Sequence, residues 1–589
     1  MSFVTFKNLQ PIVKLPDDCI TDIFQFIDDK STLYSCLFAN RFFFHLAMPK
    51  LWNDPFSFTI PTQKLSLIVR TYIKCLPQDR IKHLLDKGIV LNDSSPSSIE
   101  YHKYLVEFEY IRIIYSIHCW CVEKDETRLC QEVLTNEIFE NLFFNQVNKM
   151  RNLIFHINYH TMYLINDENI RFIDITSYRG SSDVLSQIQE FDIEYHFEEF
   201  DFNEFQNFDE LEHLISLTKN LLNTLIPRNK TIKCLCLDYK PFVPSAESKE
   251  IMRILSNIIE QQQNLKTLDI SDATDSFGYK RFYNSLVSQS HCLTFLRLEF
   301  QITLDNFLLL MFELKSLETI ELPIVPYEEP IINGNQARES RVTFESITRS
   351  TVIKFNLKNI FFLPKDGYPY NKDDSYKVLQ TLLEYSNKTV ETLTFSLSNN
   401  KVPSMLINCP NITHLSTIID NNNLISCLKL IVDLPKLHHL KLKYSDNLTQ
   451  LPSKNQIYFD EIIIWDLICQ IPISLKVLEF DFMISSKELR IFLLEKCRAS
   501  LNEITFHNKD LITAQHFKVL TEYAKQKNSL KKFRYHYTYL NDDFYFTTEN
   551  DDMDERLNDY SSYYALEELE RSIPNVSDPI DFITPFYEY

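Results

Sequence analysis

One unit recurs through the second part of this chain and limits what it can fold into. From about residue 230 the pattern x-L-x-x-L-x-L, with other apolar residues allowed at L, appears as TIKCLCL, NLKTLDI, CLTFLRL, SLETIEL, TVIKFNL, TVETLTF, NITHLST, KLHHLKL, SLKVLEF, SLNEITF and SLKKFRY. The first apolar places are Ile232, Leu265, Leu293, Leu317, Val352, Val390, Ile412, Leu437, Leu475, Leu501 and Leu530. Apolar triples alone decide nothing, because at 44% hydrophobic content three fixed places match by chance in about 9% of frames. Two further features carry weight. The residue before the unit is Ser, Thr or Asn except at Cys292 and Lys436, which is turn chemistry for delivering a chain into a strand. Between units lie helical patterns such as SSKELRIFLLEKCRAS, where Leu489, Phe492, Leu493 and Cys497 form a stripe behind a Ser485–Glu488 capping box. SAESKEIMRILSNIIEQQ and TAQHFKVLTEYAKQKN read the same way.

Strand, turn, helix and turn at spacings of 22 to 38 residues resemble a degenerate leucine-rich-repeat array. Two departures from the regular pattern are the uneven spacing and Thr417, where the unit at 412 should end in an apolar residue. The expected fold is α/β: an irregular solenoid over 150–540 with parallel strands on a concave face and helices outside. Met150 (MRNLIF) and Ile170 (IRFIDI) are its upstream candidates. The rival is an ordinary α/β domain of unrelated strands and helices. Eleven stacked strands would make a concave strip on the order of 50 Å long, which suits a protein partner better than a metabolite. The fifth place of each unit then points into the concavity, giving Asp269, Arg297, Glu321, Asn356, Lys441, Glu479 and Arg534 as candidate target-binding residues. Thr394, Thr505, Cys236 and Ser416 complete the row, and a merely solvated face accounts for it equally well. His438 and His439 divide between the two faces and need no catalytic role.

The N-terminal stretch reads LPDDCITDIFQFIDDKSTLYSCLFANRFFFHLAMPKLWNDPF. Ile20, Ile23, Phe24 and Ile27 form one helical stripe. After the polar break DDKS, with Ser31 as the expected N-cap, Leu33, Cys36 and Leu37 start a second. Two or three short helices cannot bury these faces alone and need a partner in the chain or outside it. With its opening Leu15-Pro16, the Ile23-Phe24 pair, Leu33 to Leu37, Asn40-Arg41-Phe42 and the closing Leu51-Trp52, residues 10–56 resemble an F-box of the large fungal families. Asp18 supplies the acidic residue often found after the Pro, and Phe43-Phe44 stand where a second aromatic such as Trp is usual. The resemblance implies docking onto the Skp-type adaptor of a cullin-RING ubiquitin ligase. It implies contact through Leu15, Pro16, Ile20, Ile23, Phe24, Leu33, Leu37, Leu51 and Trp52. The alternative is a helical hairpin that caps the fold behind it. Residues 57–149 are expected to be a helical linker region.

Charge is localised. The formal net charge is -20, with 60 Lys and Arg against 80 Asp and Glu. Residues 190–212 hold ten acids and no Lys or Arg, and the tail 541–589 holds fourteen acids against Arg556 and Arg571. Binding to nucleic acid is disfavoured, since the phosphate backbone asks for a basic footprint. Both acidic segments are rich in aromatics. They read as a solvated insert and tail or, more sharply, as stickers for a basic groove. The stretches 325–350 and 364–374 read as insertions open to contact by a partner.

The sequence offers no enzyme chemistry. Only five glycines are present, none near another, which removes the Gly-rich phosphate loops and the nucleophile elbow. There is no H-E-x-x-H; His156 and His160 lack the intervening Glu, and Cys119 and Cys121 have the wrong spacing for zinc. No cofactor or metal is expected, although a triad assembled from distant positions in 60–229 is not visible to sequence reasoning. The N-terminus lacks a basic region followed by an apolar one, and IRIIYSIHCWCV is too short to span a membrane and includes Arg112. Thirteen scattered cysteines read as reduced thiols, which makes the sequon at Asn229 accidental. The expectation is a cytoplasmic or nuclear protein without membrane contact, bound to the Skp-type adaptor, through it to a cullin, and to a protein substrate.

Overall fold

An apolar residue at the first, fourth and sixth place of each unit, with polar residues between, suits a strand with one face packed and one face open. The computed structural model describes residues 16–57, 60–91, 95–124, 128–144, 150–157, 172–196, 208–225, 229–240, 246–272, 279–299, 304–323, 354–363, 372–395, 406–419, 434–444, 471–481, 484–507 and 513–535, with the single residues 170, 302 and 431. The chain packs as two compact units, Met1–Leu293 and Thr294–Tyr589.

The first unit opens with α1 (Asp17–Gln25), α2 (Lys30–Leu37) and α3 (Arg41–Leu51), followed by α4 (Thr62–Ile73) and α5 (Gln78–Asp86). Strand β1 (Glu107–Glu109) leads into α6 (Tyr110–Glu123) and α7 (Arg128–Ile138). Strands β2 (Asn152–Ile157), β3 (Glu190–His196), β4 (Cys234–Lys240) and β5 (Thr267–Asp272) pair in sequence order, every pair parallel. Parallel neighbours need a crossover, and the helices Phe208–Leu225 and Ala246–Gln261 supply it before β4 and β5.

In the second unit β6 (Phe295–Glu299), β7 (Thr319–Glu321), β8 (Asn359–Phe362), β9 (Thr392–Phe395), β10 (His414–Ile419), β11 (His439–Tyr444), β12 (Val477–Asp481), β13 (Glu503–Phe506) and β14 (Lys532–Tyr535) pair the same way. The chain is therefore α/β with parallel strands laid down in order, an arrangement compatible with an α/β solenoid. The capping box at Ser485 is present, and the helix behind it buries Leu489, Phe492, Leu493 and Cys497.

A repeated hydrogen-bond device sets the register. Two successive amides at the start of a strand donate to one carbonyl of the strand before: Lys266 and Thr267 to Lys233, Glu318 and Thr319 to Thr294, Lys476 and Val477 to His438. A second device is an amide ladder just ahead of β4 to β6. Asn229 Nδ2 donates to Leu185 O and Ile188 O, Gln262 Nε2 to Asn229 O, and Gln289 Nε2 to Gln262 O, while Gln262 Oε1 accepts from Ile232 N. All three side chains are buried, so they satisfy turn amides and carbonyls that would otherwise be orphaned. The Asn229 sequon is thus sealed in the interior.

Several expectations are corrected. The strand expected at Val352 lies at Asn359–Phe362 instead, because Leu357, Ile360 and Phe362 also satisfy the spacing and this frame lets Lys358 and Asn359 donate to Glu318 O. IRFIDI is not a strand: Ile170, Phe172 and Ile175 are buried in a segment that ends in a short 3-10 turn, and the strand is Glu190–His196. The acidic stretch that starts there is therefore no insert at 190–196, since Phe191 and Ile193 enter the core between Glu190, Asp192 and Glu194. The ladder begins at β1, inside the stretch 57–149 expected to be helical linker, because Leu105, Phe108 and Tyr110 repeat the apolar spacing. The N-cap of α2 is Asp29 and not Ser31; its carboxylate accepts from the Ser31 and Thr32 amides and hydroxyls, which hold it well below the usual carboxylate range. The tail 541–589, residues 325–350, residues 364–371 and His160 lie outside the described residues.

Candidate interaction surfaces

The three N-terminal helices build their own small core. Phe24, Leu33 and Ala47 are buried together, with Ile20, Ile27, Cys36, Leu37, Phe43, Leu46 and Leu51 packed around them. The Phe24 and Phe43 rings meet edge to face at 5.2 Å. Lys50 ties α3 to the end of α1: its Nζ donates to Phe24 O at 3.0 Å, Gln25 O at 2.9 Å and Ile27 O at 2.7 Å, and pairs with Asp28 at 3.3 Å. A cation at carbonyls left free by a helix end is favourable for both hydrogen bonding and the helix dipole.

This core divides the nine expected adaptor-binding residues. Pro16 and Ile23 are exposed; Ile20, Leu37 and Leu51 are partly covered by the module itself; Phe24 and Leu33 are core, so their role is to hold the helices together. Trp52 is half-buried, its ring 4.3 Å from that of Tyr101 and 5.9 Å from that of Tyr72. Leu15 lies outside the described residues. The exposed apolar groups are instead Ile23 at 49%, Phe26 at 83%, Tyr34 at 59% and Phe38 at 73%. Tyr34 and Phe38 touch edge to face at 5.2 Å on α2 and its C-cap. Exposed large rings in contact with each other, as Tyr34 and Phe38 are, make a candidate interaction surface. Sequence reasoning missed Phe26, Tyr34 and Phe38, although an aromatic pair at i, i+4, one place out of phase with Leu33 and Leu37, was the available signal.

The module is joined to the strands by backbone. Val106 and Glu107 donate to Asn53 O at 2.9 and 3.0 Å, so Asn53 supplies to β1 the kind of carbonyl that β2 to β5 take from the strand before.

On the second unit's open strand face, charges neutralise one another. Arg297 faces Glu299 at 3.2 Å and Glu321 at 3.5 Å, Lys443 faces Asp481 at 3.5 Å, and Arg534 faces Glu503 at 2.9 Å. Glu479 accepts from His439 Nε2 and His507 Nε2, each at 2.7 Å, with Lys441 at 3.9 Å. Burial opposes its charged form, but the two histidine hydrogen bonds outweigh that and hold the carboxyl well below its usual range. Burial, then His439 and His438, push the His414 pKa down. Lys441, Glu479, Thr505 and Arg534 stand in one cross-strand row, as do Arg297 and Glu321. Asn356 leaves the row: it is exposed ahead of β8, and Phe361 stands beside Glu321.

The first unit's face differs. Glu107 and Glu190 share one cross-strand row; Glu109, Asp192 and Asp269 share the next, with Ile154 and Cys236 between them; Glu194 and Asp238 share a third. Among the described side chains of this face the one basic group is His156, which meets Asp192 at 3.0 Å and Glu194 at 3.4 Å. Burial, then Asp192 and Asp269, push the Cys236 thiol far up, and Cys234 rises to about 11 for the same reasons, with Glu190 foremost among its neighbours. Burial, with Asp54 next, raises Glu109 to about 9 against a lowering from Arg112.

Among the described residues no group of three or more His, Cys, Asp or Glu is arranged to hold a metal ion, and no helix is long and apolar enough to cross a membrane. No family model matches the chain, and no curated protein matches it.

Proposed function

We propose that this chain is the target-recognition subunit of an SCF-type cullin-RING ubiquitin ligase, working in the cytoplasm or nucleus. The N-terminal module docks on the Skp-type adaptor, and through it a cullin, while the strand faces hold a protein target. The chain does no bond chemistry itself and needs no cofactor; it raises the effective concentration of the target's lysines near the charged ubiquitin carrier. The observation that carries this reading is the exposed set Ile23, Phe26, Tyr34 and Phe38 around an already sealed three-helix core. Exposed apolar groups of this kind gain by burial against another subunit, at about 25 cal/mol per Å2 of apolar surface. The test is capture of purified Skp-type adaptor by the full chain, with Ile23→Asp and Phe26→Asp as variants. Loss of capture in both supports the reading, and equal capture by wild type and variants overturns it.

A second reading is a leucine-rich-repeat-like interaction scaffold outside any ligase, with the helical module as the end cap of the strands. The Asn53 carbonyl on Val106 and Glu107 favours it. It is distinguished by a chain that fails to capture the adaptor yet loses the order of β1 when residues 1–55 are deleted.

A further inference from the structure

The strand faces of the two units differ in the charged residues that their registers bring together. On β6–β14 the cations sit beside carboxylates. On β1–β5 carboxylates stand in three consecutive cross-strand rows, with His156 as the one basic side chain described on that face. These acids come from segments that lie as far apart as residues 107 and 269, so the fold assembles the cluster. A second observation singles out the face. Glu109 is only 5% exposed, and its Oε1 has no hydrogen-bond donor. Its register beside Ile154, opposite the buried Phe108, directs it to the same side as Asp192, and the charges that act on it are Asp54, Arg112 of α6 and Glu107. A buried acceptor without a donor costs about 1–3 kcal/mol, which a cation brought in from outside relieves.

We infer that the strand face of β1–β5 binds an extended Lys- or Arg-rich segment, whose cationic side chains settle on Asp192, Glu194 and Asp269 and bring a donor to the buried Glu109. Same-face side chains of an extended segment repeat about every 6.6 Å, which matches Asp192 and Glu194 along β3, while Glu109 and Asp269 flank Asp192 two strands away on either side. The chain's own acidic tail has the wrong sign to compete. That the segment belongs to a ubiquitination target rests on the reading proposed above; its basic chemistry rests on this face alone.

The probe is a fluorescently labelled peptide of about twelve residues alternating Lys and Ser, with a Glu and Ser peptide of equal length as control, measured with the full chain by anisotropy. The expected result is binding of the basic peptide only, weakening as salt rises from about 50 to 300 mM. The combined variant Asp192→Asn, Glu194→Gln, Asp269→Asn should bind at least about tenfold more weakly. Glu190→Lys, at an exposed position, gives the same direction should the triple variant fail to fold. Glu503→Gln and Asp481→Asn in the second unit should bind like wild type. Equal binding by the Glu190→Lys chain, equal loss in the second-unit controls, or no binding of the basic peptide overturns the inference. So does a face that takes Ca2+ in preference to the peptide. Adaptor capture is run on the same variants. Capture retained without peptide binding removes this inference and leaves the ligase reading; peptide binding without capture does the reverse.

Discussion

Phe24 and Phe26 are two residues apart and exchange the roles their chemistry alone would assign. Phe24 is buried in the three-helix core, with Phe43 edge-on to its ring, whereas Phe26 is 83% exposed. Phe24→Ala removes a core ring, which costs about 3–5 kcal/mol, plus about 0.5–1.5 kcal/mol for the aromatic pair. A helical module of this length, at about 0.05–0.15 kcal/mol per residue, holds only about 2–5 kcal/mol in all. The substitution therefore consumes the module's whole stability. Phe26→Ala and Phe38→Ala, at the surface, should change stability by no more than about 0.5 kcal/mol. Hydrogen exchange read on peptides covering α1 to α3 is the suitable assay, because it isolates local opening in a chain of several cooperative parts. Phe24→Ala should speed exchange by roughly a hundredfold or more while leaving the peptides of β10 to β13 unchanged. Phe26→Ala should leave exchange alone and weaken adaptor capture. Unaltered protection in Phe24→Ala, or collapse of the module in Phe26→Ala, would refute the division into core and docking face.

Three further outcomes follow from the structure. Lys50→Met removes the cation from the carbonyls of Gln25 and Ile27 and one of the donors to Phe24 O, and should destabilise the module by about 1.5–3 kcal/mol, seen as faster exchange at the end of α1. Gln262→Leu leaves Ile232 N and Asn229 O without their buried partner and should cost about 2–3 kcal/mol, lowering the first thermal unfolding transition; an unchanged transition would remove the amide ladder from the account. Glu109 binds its proton more tightly folded, at about 9, than at its ordinary 4.5. Its contribution to stability is thus full below about pH 4.5 and lost as pH rises toward 9, and Glu109→Gln should flatten the fall in melting temperature across that window.

Much of the strand ladder was legible because its signal is local. Leu268 and Ile270, Leu440 and Leu442, or Ile504 and Phe506 are buried where a period of two places them, and the preceding turn residues fixed most frames. The frame failed at Val352, where two overlapping apolar triples compete and only the carbonyl of Glu318 chooses between them. It also failed at β1 and β3, whose acid-rich sequences hid the apolar residues beneath charge. The N-terminal helices were legible as helices, but not the side of each that faces out. Ile20, Ile23, Phe24 and Ile27 form one stripe on a wheel, yet Ile23 is 49% exposed, because the covered arc is set by how α3 crosses α1.

What the sequence determined by itself is the alternation of strands with helices, the absence of Gly-rich catalytic loops and a helical start able to form its own apolar stripes. These depend on the period of hydrophobicity and on residue chemistry, which need no knowledge of distant neighbours. Only the tertiary structure decided which apolar residues stay in water, where the ladder begins and which acids gather on one face. Those outcomes depend on cross-strand register and helix packing between residues far apart in the chain, and no local pattern encodes them.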